Sequence, residues 1–235
     1  MKMKRDIRQL IRDKRAWTEP LSSDEEQLGF RGWRSRGYLP HFDAPGMRQM
    51  ITYRRADAMP ASRRYEWQEL LSIEDERERR SQIEAYLDAG HGECHLRQSQ
   101  IAALVQENLL HFDGDRYRLL AWAIMPNHVH ALIETSHTPL AEILHGWKSC
   151  TGNAANRLLN RAGDFWQPEY FDRFIRDEEH FGTAVSYIEN NPVKASLITS
   201  PEEWRFSSAC FRANAVPVET RGRAARAFRA QAASG

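Results

Sequence analysis

Polar and apolar residues alternate through MRQMITYRR (47–55), with Met50, Thr52 and Arg54 on one side and Ile51 and Tyr53 on the other, which predicts a strand. The stretch 60–87 is dense in Arg and Glu. Its Trp67, Leu70, Leu71, Ile83, Tyr86 and Leu87 predict a helix with one thin apolar stripe, closed by Gly90 and lying across the body rather than forming it. Helical spacing returns at 98–111, where Ile101, Leu104, Val105, Leu109 and Phe112 share a face. YRLLAWAIM (117–125) reads as a buried strand, Pro126 and Asn127 break it, and 129–134 resumes as a second strand. Thr138 followed by Pro139 opens a long helix whose buried side carries Leu140, Ile143, Leu144, Trp147, Leu158 and Leu159 and which Gly163 ends. YFDRFIR (170–176) predicts another strand. Asp177 caps a last helix with Phe181, Ala184, Val185 and Ile188 on its core face, running to about Asn191 because Pro192 disfavours helical geometry before it. Strand, inserted helix, helix, strand, strand, helix, strand, helix is the order of a ferredoxin-like α+β fold, an antiparallel sheet with helices on one face. Such a fold does not fix a function.

The 235 residues allow one good core, or one core with appendages. The pattern divides them into an N-terminal basic extension (1–45), a central domain (46–212) with a helical insertion at about 60–90, and a basic C-terminal tail (213–235). No internal repeat is visible. Hydrophobic content of 41% and charged content of 28% are those of a globular protein. No apolar run reaches the roughly 18–20 residues of a membrane span, and the charged N-terminus is no secretory signal. Cys94, Cys150 and Cys210 are odd in number and far apart, which gives neither a disulfide framework nor paired metal-ligand spacing and makes a reducing cytoplasm the expected place. The net charge of +1 argues against a non-specific nucleic-acid coat, yet the charge is uneven. Lys2, Lys4, Arg5, Arg8, Arg12, Lys14 and Arg15 crowd one end, and Arg221, Arg223, Arg226 and Arg229 the other. Such arms suit phosphate contacts, and equally suit solvated tails.

The candidate chemistry sits in two blocks. In AWAIMPNHVHALIE, His128 and His130 lie two apart in a strand, so both imidazoles point to one face while Val129 points to the other. Such a pair takes a divalent cation if a further ligand arrives; alone it reads first as two polar residues on a wet strand face. In SYIENNPVKASL, Tyr187 and Asn191 are four apart and stack on one side of the last helix, away from Ile188 and Val185. Taken singly, the tyrosine is a rim residue and the asparagine a helix stop. His91, Glu93, Cys94 and His95 have a spacing that suits no common zinc site. Lys148, Arg173 and Arg176 are candidate phosphate contacts, and Trp166, Tyr170 and Phe171 are candidates for stacking on bases, or else core residues.

Taken together, PNHVH, then WQ-x-x-YFDR-x-IRDE-x-HF, then YI-x-NNPVKA resemble the REP-associated tyrosine transposases, bacterial relatives of the single-strand HUH transposases. GHGE-C at 90–94, HFDGDRYRLLAW at 111–122, WKS at 147–149 and PEEW at 201–204 also fit, so the likeness spans roughly 40–212 and leaves out the terminal extensions. Ala195-Ser196 stands where Ala-Gly is commoner. The resemblance implies that His128 and His130 are metal ligands and contribute to catalysis, that Asn191 is the third ligand, and that Tyr187 is the nucleophile. It implies Mg²⁺ or Mn²⁺ as cofactor and, as substrate, single-stranded DNA bearing hairpin-forming palindromic repeats. It also implies a 5′-phosphotyrosine intermediate, a bacterial cytoplasmic, nucleoid-associated protein, and a monomer or homodimer. The competing readings are a domesticated hairpin-binding protein without turnover and a metal-dependent hydrolase of small phosphoesters.

Overall fold

The computed structural model describes residues 20–35 and 40–215; the basic clusters at both ends of the chain lie outside them. In chain order the elements are α1 (Ser23–Gln27), β1 (Gly32–Ser35), β2 (Pro40–Asp43), β3 (Arg48–Arg55), α2 (Arg64–Ser72), α3 (Glu76–Asp88), α4 (Ser99–His111), β4 (Tyr117–Ile124), β5 (His128–Thr135), α5 (Leu140–Leu158), β6 (Trp166–Phe174), α6 (Glu178–Lys194) and α7 (Ser208–Ala213). Strands β3 to β6 form one antiparallel sheet in the order β4-β5-β3-β6. That is the ferredoxin-like arrangement, with the first strand of the unit, β3, beside the third and the last.

Both faces of this sheet are covered. Val129, Ala131 and Ile133 of β5 pack with Ile51 and Tyr53 of β3 against Ile101, Val105 and Leu109 of α4 and Leu140, Ile143, Leu144 and Trp147 of α5. Helix α6 lies on the opposite face, where its Ala184 and Ile188 meet Ala121 and Ala123 of β4 and Leu132 of β5. The expected placement of the helices on one face therefore holds for α4 and α5 and not for α6. The cause is visible in β4 and β5, where all eight residues of β5 are buried, so the even-numbered side chains needed a cover of their own.

Three local expectations change. Thr138 does not cap α5. The Leu140 amide donates instead to Asp43 Oδ1 at 2.9 Å, so a residue of β2 supplies the cap. Helix α6 does not stop before Pro192 but runs to Lys194, since burial of Ile188, Asn191 and Pro192 outweighs the local preference. Its start is as read: Asp177 accepts from the His180 amide at 2.7 Å, a cap contributing about 1 kcal/mol. Finally, the Arg- and Glu-rich stretch makes two helices, α2 and α3, with Asp75 accepting from the Glu78 amide at the start of the second. They share a small core of Ala58, Trp67, Ile83, Tyr86 and Leu87.

The residues just before the central domain are not merely peripheral. Strands β1 and β2 form a hairpin, and Phe42, Ala44 and Met47 pack with Phe174 of β6. His41 hydrogen-bonds Asp172 through Nδ1, and the Gln49 amide donates to the Phe42 carbonyl. No helix among the described residues is long and apolar enough to cross a membrane.

Candidate active site

The histidines stand side by side because β5 is a regular strand. Their Nε2 atoms are 3.0 Å apart and each residue is only 1% exposed. Each ring is held from behind. Asn127, in the turn between β4 and β5, donates its Nδ2 to the His91 carbonyl (3.0 Å), which leaves its Oδ1 to accept from His128 Nδ1–H at 2.7 Å. The free lone pair of His128 is thereby placed on Nε2. Thr52, directly opposite His130 in the β3–β5 pairing, puts its hydroxyl 2.8 Å from His130 Nδ1. That hydroxyl either donates, leaving a proton on His130 Nε2 to bridge the two rings, or accepts, leaving two lone pairs facing one another. The second state needs a cation between them.

Burial holds both imidazoles neutral. His130 is pushed down to about 3 by desolvation and then by the charge of Lys194; His128 is pushed well below the usual histidine range by desolvation, then by His130, Arg54 and Lys194. Neutral imidazole is the metal-binding form.

Helix α6 brings Tyr187 to this pair from across the sheet face. Its ring lies edge-on to that of His130, with centroids 5.6 Å apart. One turn on, the Asn191 amide donates to the Tyr187 hydroxyl at 3.2 Å, while Asn191 Oδ1 is buried with no hydrogen-bond partner. A buried carbonyl oxygen without a donor is unfavourable unless something positive fills the place. The phenol is held well above the ordinary tyrosine range, first by burial, then by the charge and hydrogen bond of Glu84, then by Asp88, with the Asn191 bond opposing. A phenol so placed needs an activating charge before it can attack.

Those two acids come from α3, which reaches over the site rather than merely crossing the body. Lys194 Nζ stands 3.6 Å from Asp88 Oδ2 and 3.9 Å from Glu84 Oε2, and 5.7 Å from the centre of the Tyr187 ring. Asp88 Oδ1 is 3.8 Å from His128 Nε2. Burial raises the Asp88 carboxyl to about 6, against the lowering effect of Lys194. On the same face, the buried Arg54 guanidinium lies over the rings of both Trp67 (4.5 Å) and Phe171 (5.4 Å), which meet each other edge-on at 6.3 Å. Thr52, Arg54, Asn127, Glu84, Asp88 and Lys194 are the residues the sequence reading passed over. Lys194 carried a usable signal, being three residues from Asn191 and seven from Tyr187 on the same helix face.

The residues present fit a divalent ion. Two neutral imidazole nitrogens and an orphaned amide oxygen suit Mn²⁺, and Mg²⁺ less well. The described residues hold no group of three or more His, Cys, Asp or Glu side chains gathered as a finished metal cage. The cluster at 91–95 is not one either: His91 bonds Arg63, His95 pairs with Glu93 at 2.6 Å, and the Cys94 thiol donates to the Gly90 carbonyl.

The proposed DNA contacts fare unevenly. Trp166 and Tyr170 are 6% and 2% exposed, with Trp166 Nε1 donating to Thr151 Oγ1, so they belong to the core and cannot stack on bases. Phe171 packs on Trp67 and beside Arg54. Lys148 Nζ donates to the carbonyls of Gln167, Pro168 and Glu169, which occupies all three of its donors in fastening α5 to β6. Arg173 and Arg176 are exposed.

Residues 98–191 match the family model described as Transposase IS200 like. A relative in Escherichia coli, named REP-associated tyrosine transposase, is 26% identical over 119 residues, 48% of this chain and 69% of its own length. An uncharacterised protein of Haemophilus influenzae is 29% identical over 100 residues, 32% of this chain and 54% of its own length. Among solved structures, a REP-associated tyrosine transposase bound to a REP hairpin overlays with a TM-score of 0.48 at 17% identity, covering 74% of this chain and 81% of that one.

Proposed function

We propose, from the premise that residues 98–191 belong to the IS200-like transposase family and that the chain is a relative of the REP-associated tyrosine transposases, that this protein cuts and rejoins single-stranded DNA at hairpin-forming palindromic repeats. The observation that carries the reading is the meeting of three distant segments, with the Tyr187 ring 5.6 Å from that of His130 and its hydroxyl bonded to Asn191. Tyr187 is the nucleophile. Its oxygen bonds to the scissile phosphorus as the bond to the 3′ oxygen breaks, giving a 5′-phosphotyrosine and a free 3′-OH that takes up the proton. The link keeps the phosphodiester energy, so a second 3′-OH can displace the tyrosine and rejoin the strand without ATP.

His128, His130 and Asn191 would hold a Mg²⁺ or Mn²⁺ ion, which when bound polarises the phosphate and offsets the charge developing on it. Asn127 and Thr52 orient the imidazoles, Asn191 and Glu84 hold the phenol, and Lys194 adds positive charge beside it. The proposed substrate follows from kinship with a REP-associated enzyme, and the exposed Arg173 and Arg176 are the remaining candidates for phosphate contact.

A hairpin with a single-stranded foot, labelled at its 3′ end, tests the reading. A slow covalent protein–DNA band on a denaturing gel is expected, together with tighter binding of the hairpin than of a duplex of identical sequence. No band under any divalent ion, or equal affinity for both DNAs, overturns it. Because imidazole suits Mn²⁺ better than Mg²⁺, the band should form at least as fast with Mn²⁺. A titration in which Mg²⁺ works and Mn²⁺ does not refutes the ligand set.

A further inference from the structure

Helix α3 lies outside the family-matched segment, yet its last residue, Asp88, enters the site. The Asp88 side chain is 11% exposed. One carboxylate oxygen, Oδ2, faces Lys194 at 3.6 Å; the other, Oδ1, is buried, has no hydrogen-bond partner and stands 3.8 Å from His128 Nε2. That nitrogen has no proton to offer, because Asn127 has fixed the His128 proton on Nδ1. Two acceptors therefore face each other in a desolvated place, and on α6 Asn191 Oδ1 is a buried acceptor likewise without a partner. Lone pairs converging without a shared proton are unfavourable unless a cation lies among them.

The separations suit such an ion. Two donors bound at about 2.1 Å to one ion stand between about 3.0 Å apart at right angles and about 4.2 Å apart when opposite. The two imidazole nitrogens are 3.0 Å apart and the Asp88–His128 gap is 3.8 Å, both within that span. The other Asp88 oxygen stays with Lys194.

We infer that Asp88 is a further ligand of the divalent ion, so that this chain holds it by two imidazoles, an amide oxygen and a carboxylate. The inference rests on the proposed metal reading. A carboxylate adds a hard, charged donor to a site otherwise built from neutral ones, which strengthens the hold on Mn²⁺ and Mg²⁺ relative to softer ions. Glu84, one turn earlier, bonds the phenol instead, so the two acids of α3 divide between ion and nucleophile.

The test measures Mn²⁺ binding by the full chain without DNA, from the electron paramagnetic resonance signal of the free ion. Asp88→Asn should weaken binding by about tenfold or more, His128→Ala by at least as much, and Glu84→Gln, which removes the same charge from the same helix, by much less. A loss in Asp88→Asn no larger than in Glu84→Gln, with His128→Ala still defective, overturns the inference and leaves the histidine site standing. If the native chain and His128→Ala bind Mn²⁺ equally, the metal reading itself falls, and the inference with it. Asp88→Cys gives a readout independent of affinity: added Cd²⁺ should produce a thiolate charge-transfer band in the ultraviolet beyond that of the native chain, and no such increment in a folded variant counts against Asp88 as a ligand.

Discussion

Tyr187→Phe should lose the covalent protein–DNA adduct by at least about 10³-fold, because the attacking oxygen itself is gone and the Thr52 hydroxyl is engaged at His130 Nδ1. The fold should survive. The hydroxyl accepts from Asn191 and bonds Glu84, neutral or part-exposed contacts whose removal costs about 1–2 kcal/mol. The ring, which packs against His130, remains. Hairpin affinity should stay within about twofold, since the phenol oxygen is one contact among many on the strand. Denaturing gels with 3′-labelled DNA read the first quantity and gel shifts the second. An adduct persisting at the native level would move the nucleophile to another residue. A native protein that forms no adduct, and binds hairpins as well as the Phe variant, would be the domesticated binder considered from the sequence.

The largest stability effect is expected at Trp147, on the other side of the sheet. The residue is 2% exposed and its ring meets Tyr117 edge-on at 5.2 Å and Tyr53 at 6.0 Å. Its indole N–H donates to the Tyr117 hydroxyl (2.9 Å), which in turn donates to the Leu109 carbonyl (2.7 Å), so α5, β4 and α4 are joined in one line. Trp147→Ala leaves a large cavity and removes the donor to the buried Tyr117 oxygen, which keeps only its bond to the Leu109 carbonyl. The cost should be about 3–5 kcal/mol, or roughly 10 °C or more in Tm for a chain of this size. Thermal and urea melts decide it, and a variant melting within about 2 °C of the native protein would mean that α5 does not pack there.

Where a pattern has a period, the sequence was readable. Alternation placed His128 and His130 on one face of β5 and Val129 on the other, and helical spacing stacked Tyr187 with Asn191; both arrangements are as found. What the pattern lacks is a sense of which face a helix will cover. Nothing local to Ala184 and Ile188 says that they meet Leu132 rather than Ile133, although the apolar run 119–125 hinted at two covers. The strand expected at 170–176 in fact runs Trp166–Phe174, so Trp166 fell outside the predicted element, and an aromatic such as Tyr170 looks the same whether its strand face is core or binding surface. Glu84 and Asp88 were illegible for a different reason. In ERERRSQIEAYLD every carboxylate resembles a solvated one, and only the docking of α3 distinguishes these two. Asp43 as the cap of α5 is likewise a partner nearly a hundred residues away, beyond any local rule.

The complete burial of β5 has a mechanical corollary. Hydrogen-bonded to β3 and β4 along both edges and roofed above and below, that strand can shift only if the whole domain opens. Its imidazoles are thus the stationary half of the apparatus. On the proposed reading, any accommodation that an incoming strand requires would fall to the half-exposed helix bearing Tyr187 and to the acidic helix above it, with the imidazoles held fixed.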